Sequence, residues 1–120
     1  MTTEKNPVIH FEIGCNDRIE TKTFYENCFN WKINSDEIAD EIDTDILNSI
    51  SGHITSAVTE INNHLIFYIQ VDDIANTLLK IEQAGGKTVV PPVKLPNGET
   101  FAWFRDVAGN KVGLMTKPDN

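Results

Sequence analysis

Apolar and polar positions alternate from the start of the chain. In Val8–Gly14, Phe11 and Ile13 point to one side of a strand, and His10 and Glu12 to the other. The period then lengthens from two to 3.6. Asp17 is placed to cap a helix, with Glu20 three residues on, and Thr21, Phe24, Tyr25, Cys28 and Phe29 fall on one helical face. That face is expected to cover the Phe11/Ile13 side of a sheet, which makes Cys28 a core residue. Trp31–Asn34 begins the next strand. The same order returns further on. Phe67, Ile69 and Val71 alternate with Ile66, Tyr68 and Gln70, so Phe67 is expected in the core and Tyr68 on the opposite face. Asp73 caps a helix with the stripe Ile74, Leu78 and Ile81, and Gly85-Gly86 ends it in a left-handed cap. Lys87–Val90 reads as a short strand, VPPVKLPNG as a loop, and Phe101–Asp106 with Lys111–Thr116 as a hairpin.

The two passages are copies. Residues 10–33 lie without a gap on residues 66–89, a shift of 56 positions, with Phe11 on Phe67, Ile13 on Ile69, Asp17 on Asp73, Thr21 on Thr77 and Glu26 on Glu82. Each copy is too small to bury its own apolar face, so the two must pack together. The expected architecture is a single α+β domain over residues 1–120, made of two tandem βαβββ modules at about 7–61 and 65–117. Their strands form a curved mixed sheet around a concave cavity, with the helices on its outer face. The inner face takes His10, Glu12, Tyr68, Gln70, Phe101, Trp103, Arg105 and Met115, apolar walls with a few polar groups, as in small-molecule cavities.

Residues 35–64 are harder to read. Asp45–Ile50 and His53–Ile61 fit two strands joined at Ser51-Gly52, which leaves His53 and His64 near turns and at the surface. The acidic run SDEIADEIDTD lacks the central glycine and terminal glutamate of an EF-hand loop, and reads as a solvated loop or strand edge.

Charge narrows the partners. A net charge of −8 argues against nucleic acid and anionic membranes, which would be repelled. No apolar run approaches a spanning helix, and the expected location is cytoplasmic. A helix between Cys15 and Cys28 would hold them about 16–18 Å apart at 1.5 Å per residue, beyond the roughly 7 Å limit of a disulfide. Reduced thiols suit that compartment. No phosphate-cradling glycine loop and no GxSxG elbow is present.

Three segments carry a family resemblance: VIHFEIGCNDRIETKTFYENCFNWKI, FYIQVDDIANTLLKIEQAGGKTVVPP and FAWFRDVAGNKVGLMT. In order and spacing they resemble the vicinal oxygen chelate superfamily of glyoxalases, extradiol dioxygenases and bleomycin resistance proteins. Val107 stands where proline is usual in the last hairpin. The resemblance implies a divalent metal that polarises substrate oxygens, held by His, Gln or Glu on the first and last strands of each module. His10 occupies the first such position. The shift puts Ile66 at the second, Gly113 at the module-two last strand, and Ala57, near Glu60, at its counterpart. If a metal binds, His10 and Glu60 are its candidate ligands, with Glu12, His53 and His64 as alternatives. One imidazole does not hold a catalytic metal, so the favoured reading has no cofactor. The chain is then a bleomycin-resistance-like protein that binds a small organic molecule between its modules. The alternative is a metal-dependent lyase, isomerase or dioxygenase, in which His10 and Glu12 are the catalytic candidates. Relatives of this length commonly dimerise. Phe101, Trp103, Phe104 and a Pro91-Pro92 loop offer the means for a twofold homodimer.

Overall fold

A computed structural model describes residues 5–37, 39–44, 49–56 and 63–116. Its elements run in the order β1 (Val8–Gly14), α1 (Arg18–Phe29), β2 (Lys32–Ser35), β3 (Ala39–Asp43), β4 (Ser51–Thr55), β5 (His64–Gln70), α2 (Ile74–Gln83), β6 (Lys87–Lys94), β7 (Thr100–Arg105) and β8 (Lys111–Met115). This is an α+β fold in which strand, helix and three strands occur twice. The chain divides into two compact units, His10–Ile66 and Met1–Ile9 with Phe67–Asn120.

In the unit His10–Ile66 the strand order is β2-β3-β4-β1. β1 and β4 are parallel, with Glu12 opposite His53, and the other pairs are antiparallel. Asp17 Oδ1 accepts from the Glu20 amide at 3.1 Å and starts α1, and Asn30 ends it in the left-handed region. Ile13, Cys15, Ile33, Ile42 and Ile54 make the core, with Phe11, Tyr25 and Trp31 packed on it. The apolar face expected of α1 is not buried. Phe24 and Phe29 are more than half exposed, Cys28 is exposed, and no α1 residue is buried. Tyr25 is the link: its ring stacks on Trp31 at 5.0 Å, and Trp31 meets Phe11 at 5.8 Å. The acidic run folds in part as β3, an inner strand of this unit, with Ile42 in the core and Asp40 buried near Arg18. Ser51-Gly52, expected as a turn, lies inside β4. Of the two strands expected here, residues 45–48 and 57–62 are outside the described residues.

In the other unit the order is β5-β8-β7-β6, with β5 and β8 parallel. Asp73 Oδ1 accepts from the Asn76 amide at 3.0 Å to start α2. Gly85, at φ 103°, takes the left-handed position after its C-terminus, while the Gly86 amide returns to Ile81 O at 2.9 Å. Ile74 and Leu78 join Val71, Ala102, Phe104, Val112 and Leu114 in the core, with Ile69 and Ile81 against it. Pro91 and Pro92 are in β6 rather than a loop. Among the described residues β6 pairs only with β7, with register breaks around those prolines, as a strand edge tolerates. Phe104 is core, so it offers no surface to a second copy. Phe67 shares the parity of Ile69 but is 45% exposed, whereas Tyr68 is 2% exposed. Strand parity therefore does not set exposure here: Phe67 is open to solvent, and Tyr68, on the opposite parity, is buried.

Candidate functional site

Alternation along two parallel strands builds the site. Phe11 and Ile13 of β1 and Ile54 of β4 pack into the core, so His10, Glu12 and His53 share the other face. His64, at the start of β5, reaches the same place. The space a side chain on Gly14 would need is filled by the His64 imidazole, so glycine is what lets it approach.

The four side chains form one hydrogen-bonded chain. His10 Nε2 lies 2.6 Å from His53 Nδ1, and their rings stack at 4.9 Å. His53 Nε2 lies 2.9 Å from Glu12 Oε1, and His64 Nε2 lies 2.5 Å from Glu12 Oε2. A carboxylate only accepts, so both Nε2 atoms donate to it. Glu12 is 5% exposed, a buried acid partnered on both oxygens. The His10 pKa is lowered from 6.5 to about 4, first by burial and then by the neighbouring His53, with Glu12 partly opposing both. His10 is therefore neutral at pH 7.

Neither His53 nor His64 is the surface residue expected from its neighbouring turn signals. The His53 side chain is 22% exposed and that of His64 6%. A gapless shift of 56 missed His53. Glu12 pairs with His53 as Tyr68 pairs with Gly113, so the module-one counterpart of Gly113 is His53 rather than Ala57. The extra residues of module two lie in the long β6 and its turn to β7, where an ungapped comparison loses register. The alternation of His53 with Gly52 and Ile54 was the available signal. Glu60 is outside the described residues.

In the unit containing Phe67–Asn120, Tyr68 is buried and accepts from Trp103 Nε1 at 2.9 Å, while Lys111 Nζ lies 5.5 Å from the Trp103 ring centre. Gln70 and Phe101 are half-buried, and the buried Met115 pairs with both in register. Arg105 is exposed and donates to Gly109 O at 2.8 Å, across the β7–β8 turn.

A divalent metal needs donors that converge on one point. His53 lies between His10 and Glu12 and presents one ring nitrogen to each, so these donors stand in series. Ile66 is a buried hydrocarbon, and the place of a side chain on Gly113 is taken by the Tyr68 ring. Among the described residues, no three His, Cys, Asp or Glu side chains are arranged to hold a metal ion. The residues present do not fit the metal that the resemblance implies. A separate cleft of about 400 Å³, lined by Arg18, Lys22, Glu26, Ser35 and Asp40 among others, lies beside α1 and contains none of the four clustered residues.

Comparison with known proteins agrees with this fold. The model of the Glyoxalase/Bleomycin resistance protein/Dioxygenase superfamily matches residues 8–114. A glyoxylase-like domain-containing protein from Didymella fabae is 30% identical over 118 residues, covering 89% of this chain and 91% of that protein. A hypothetical protein from Bacillus halodurans C-125 superposes with a TM-score of 0.74 at 12% identity, covering 98% of both chains. Methylmalonyl-CoA epimerase from Streptomyces coelicolor, in complex with 2-nitronate-propionyl-CoA, gives 0.68 at 16% identity over 95% of this chain and 96% of that one. The Mycobacterium tuberculosis epimerase gives 0.69 at 12% identity, over 100% of this chain and 93% of that one. At these identities the superpositions speak for the fold alone. With the family model spanning both βαβββ copies, the chain belongs to the glyoxalase/bleomycin resistance protein/dioxygenase superfamily.

Proposed function

We propose that this chain binds a small organic molecule at the face bearing His10, Glu12 and His53, without a catalytic metal, in the manner of the bleomycin resistance branch. It does so as a single domain with modules at about 7–61 and 65–117, and works as a cytoplasmic homodimer. The observation that carries the reading is the Tyr68 ring against Gly113: a position where the superfamily places a metal ligand has no donor, and an aromatic ring fills its space. Tyr68, Gln70, Phe101, Trp103, Arg105 and Met115 are the second module's proposed ligand contacts. His10 and Glu12 supply polar recognition, since a partly buried neutral imidazole discriminates by hydrogen bonding rather than by charge.

The test is metal analysis of protein purified without a metal-affinity tag, beside a thermal-shift screen of divalent ions and small organic molecules. Less than a tenth of an equivalent of transition metal after dialysis, no shift with ions and a shift with an organic compound are expected. A stoichiometric metal that survives dialysis and disappears in His10→Ala would overturn the proposal in favour of a metal-dependent enzyme.

A further inference from the structure

We infer that the cleft beside α1 is a second binding site, for a neutral polyhydroxylated molecule of the sugar or cyclic polyol class. The inference does not depend on the preceding reading. Asp40 shares the strand parity of Ile42, which packs in one core with Ile13, so the cleft opens on the sheet face opposite Glu12.

α1 turns a polar row toward this cleft. Arg18, Lys22 and Glu26 follow one another at four-residue spacing on one side of the helix, and all three line the cleft with Ser35 of β2 and Asp40 of β3. A row facing a sheet is ordinarily apolar and packs against it. Here it borders an opening of about 400 Å³, inside the roughly 300–1,000 Å³ range of small-molecule sites.

One pair of side chains is poised for a hydroxyl. Arg18 Nη2 donates to Asp36 O at 3.1 Å and to Glu37 O at 3.3 Å, which ties the start of α1 to the chain after β2. Nη1 takes no part in that, and it is buried without a hydrogen-bond partner among the described residues. It stands 3.8 Å from Oδ1 of Asp40, whose side chain is only 4% exposed. That separation makes an ion pair but is too long for a hydrogen bond. A guanidinium only donates and a carboxylate only accepts. A hydroxyl oxygen placed between them accepts from Nη1 and donates to Oδ1, so one group satisfies both.

Charge selects against the alternatives. Arg18 and Lys22 balance Glu26 and Asp40 around the cleft, so an anion meets two carboxylates and a cation meets two basic side chains. A zwitterion fares no better, because Arg18 and Asp40 are neighbours and either charged end meets a like charge. A neutral polyol avoids both penalties. Lys22 Nζ, 2.9 Å from Ser35 Oγ, adds a second donor and hydroxyl at the rim. The exposed Ile19 side chain offers an apolar surface to the C–H face of a ring.

The test is a titration of the ¹⁵N-labelled full chain with pentoses, hexoses and myo-inositol at millimolar concentration, beside inorganic phosphate and glycine, followed by ¹H–¹⁵N correlation spectra. At least one polyol should saturably shift the Arg18 side-chain Nε–H resonance and the amides of Lys22, Ser35 and Asp40, and leave the ring resonances of His10, His53 and His64 in place. Asp40→Asn and Arg18→Gln should each weaken binding about tenfold, as for the loss of a hydrogen bond to a charged group. No saturable shift with any polyol would mean that the cleft holds water only, and would overturn the proposal. So would saturation by phosphate or glycine instead, or unchanged affinity in a folded Asp40→Asn protein. The wild-type titration decides even if a variant fails to fold. A polyol that shifts the histidine rings and not Arg18 would overturn the cleft while supporting the His10 face, so the two readings fail separately.

Discussion

The Tyr68 ring lies against Gly113, its register partner on β8, in the space that any side chain there would occupy. This pair fills the position at which the family resemblance implied a metal ligand. Gly113→Ala should therefore destabilise the protein by about 1–3 kcal/mol through overpacking. In a double-mutant cycle with Tyr68→Ala, the two changes should cost less together than the sum of the single ones. Urea melts measure both, and strict additivity would contradict the contact.

Exposure reverses the ranking that strand parity implies for the neighbours Phe67 and Tyr68. Tyr68→Ala should cost about 3–5 kcal/mol, as for a buried aromatic, and Phe67→Ala well below that. Tyr68→Phe isolates the bond from Trp103 and should cost on the order of 1 kcal/mol. Equal losses for the two alanine variants would refute this assignment.

Gly14 and His64 share one space. A methyl group at Gly14 pushes the imidazole away from Glu12, so Gly14→Ala should cost about 1–3 kcal/mol and remove the His64–Glu12 hydrogen bond from the NMR spectrum. Retention of that bond would show that the strand can shift to accommodate the methyl.

His10 links stability to pH. The unfolded chain binds a proton at this histidine near 6.5, the folded chain only near 4. Between those values the unfolded state carries more protons, so stability rises with pH. The contribution is fully present above pH 6.5 and is lost as pH falls toward 4. Its upper bound is about 3.4 kcal/mol at 1.36 kcal/mol per unit, and solvent screening of a partly exposed ring reduces it. Since carboxylates also titrate there, the measurement is the difference between wild type and His10→Asn. That difference should be flat from pH 7 to 8 and shift against the wild type between 6.5 and 4.

The proposed homodimer predicts a single species near twice the 13.5 kDa chain mass in sedimentation equilibrium at micromolar concentration. A species at the monomer mass would end that part of the proposal.

By itself the sequence determined the modules, because their signals are local. Alternation around Phe11 and Ile69, the caps Asp17 and Asp73, and the Gly85-Gly86 stop each depend on a few neighbouring residues and on backbone chemistry. It also showed that His10 and Glu12 share a face. Only the tertiary structure decided what they meet. His53 and His64 are distant in sequence, and pairing depends on a strand register that an ungapped repeat cannot follow through loops of different length. Burial likewise departed from periodicity. Parity says which way Phe67, Phe24 and Cys28 point, but whether anything covers them depends on where a helix ends and on its distance from the sheet. The same holds at Gly113 and Gly14: a glycine in the sequence is an absent side chain, and only packing shows which ring takes its place.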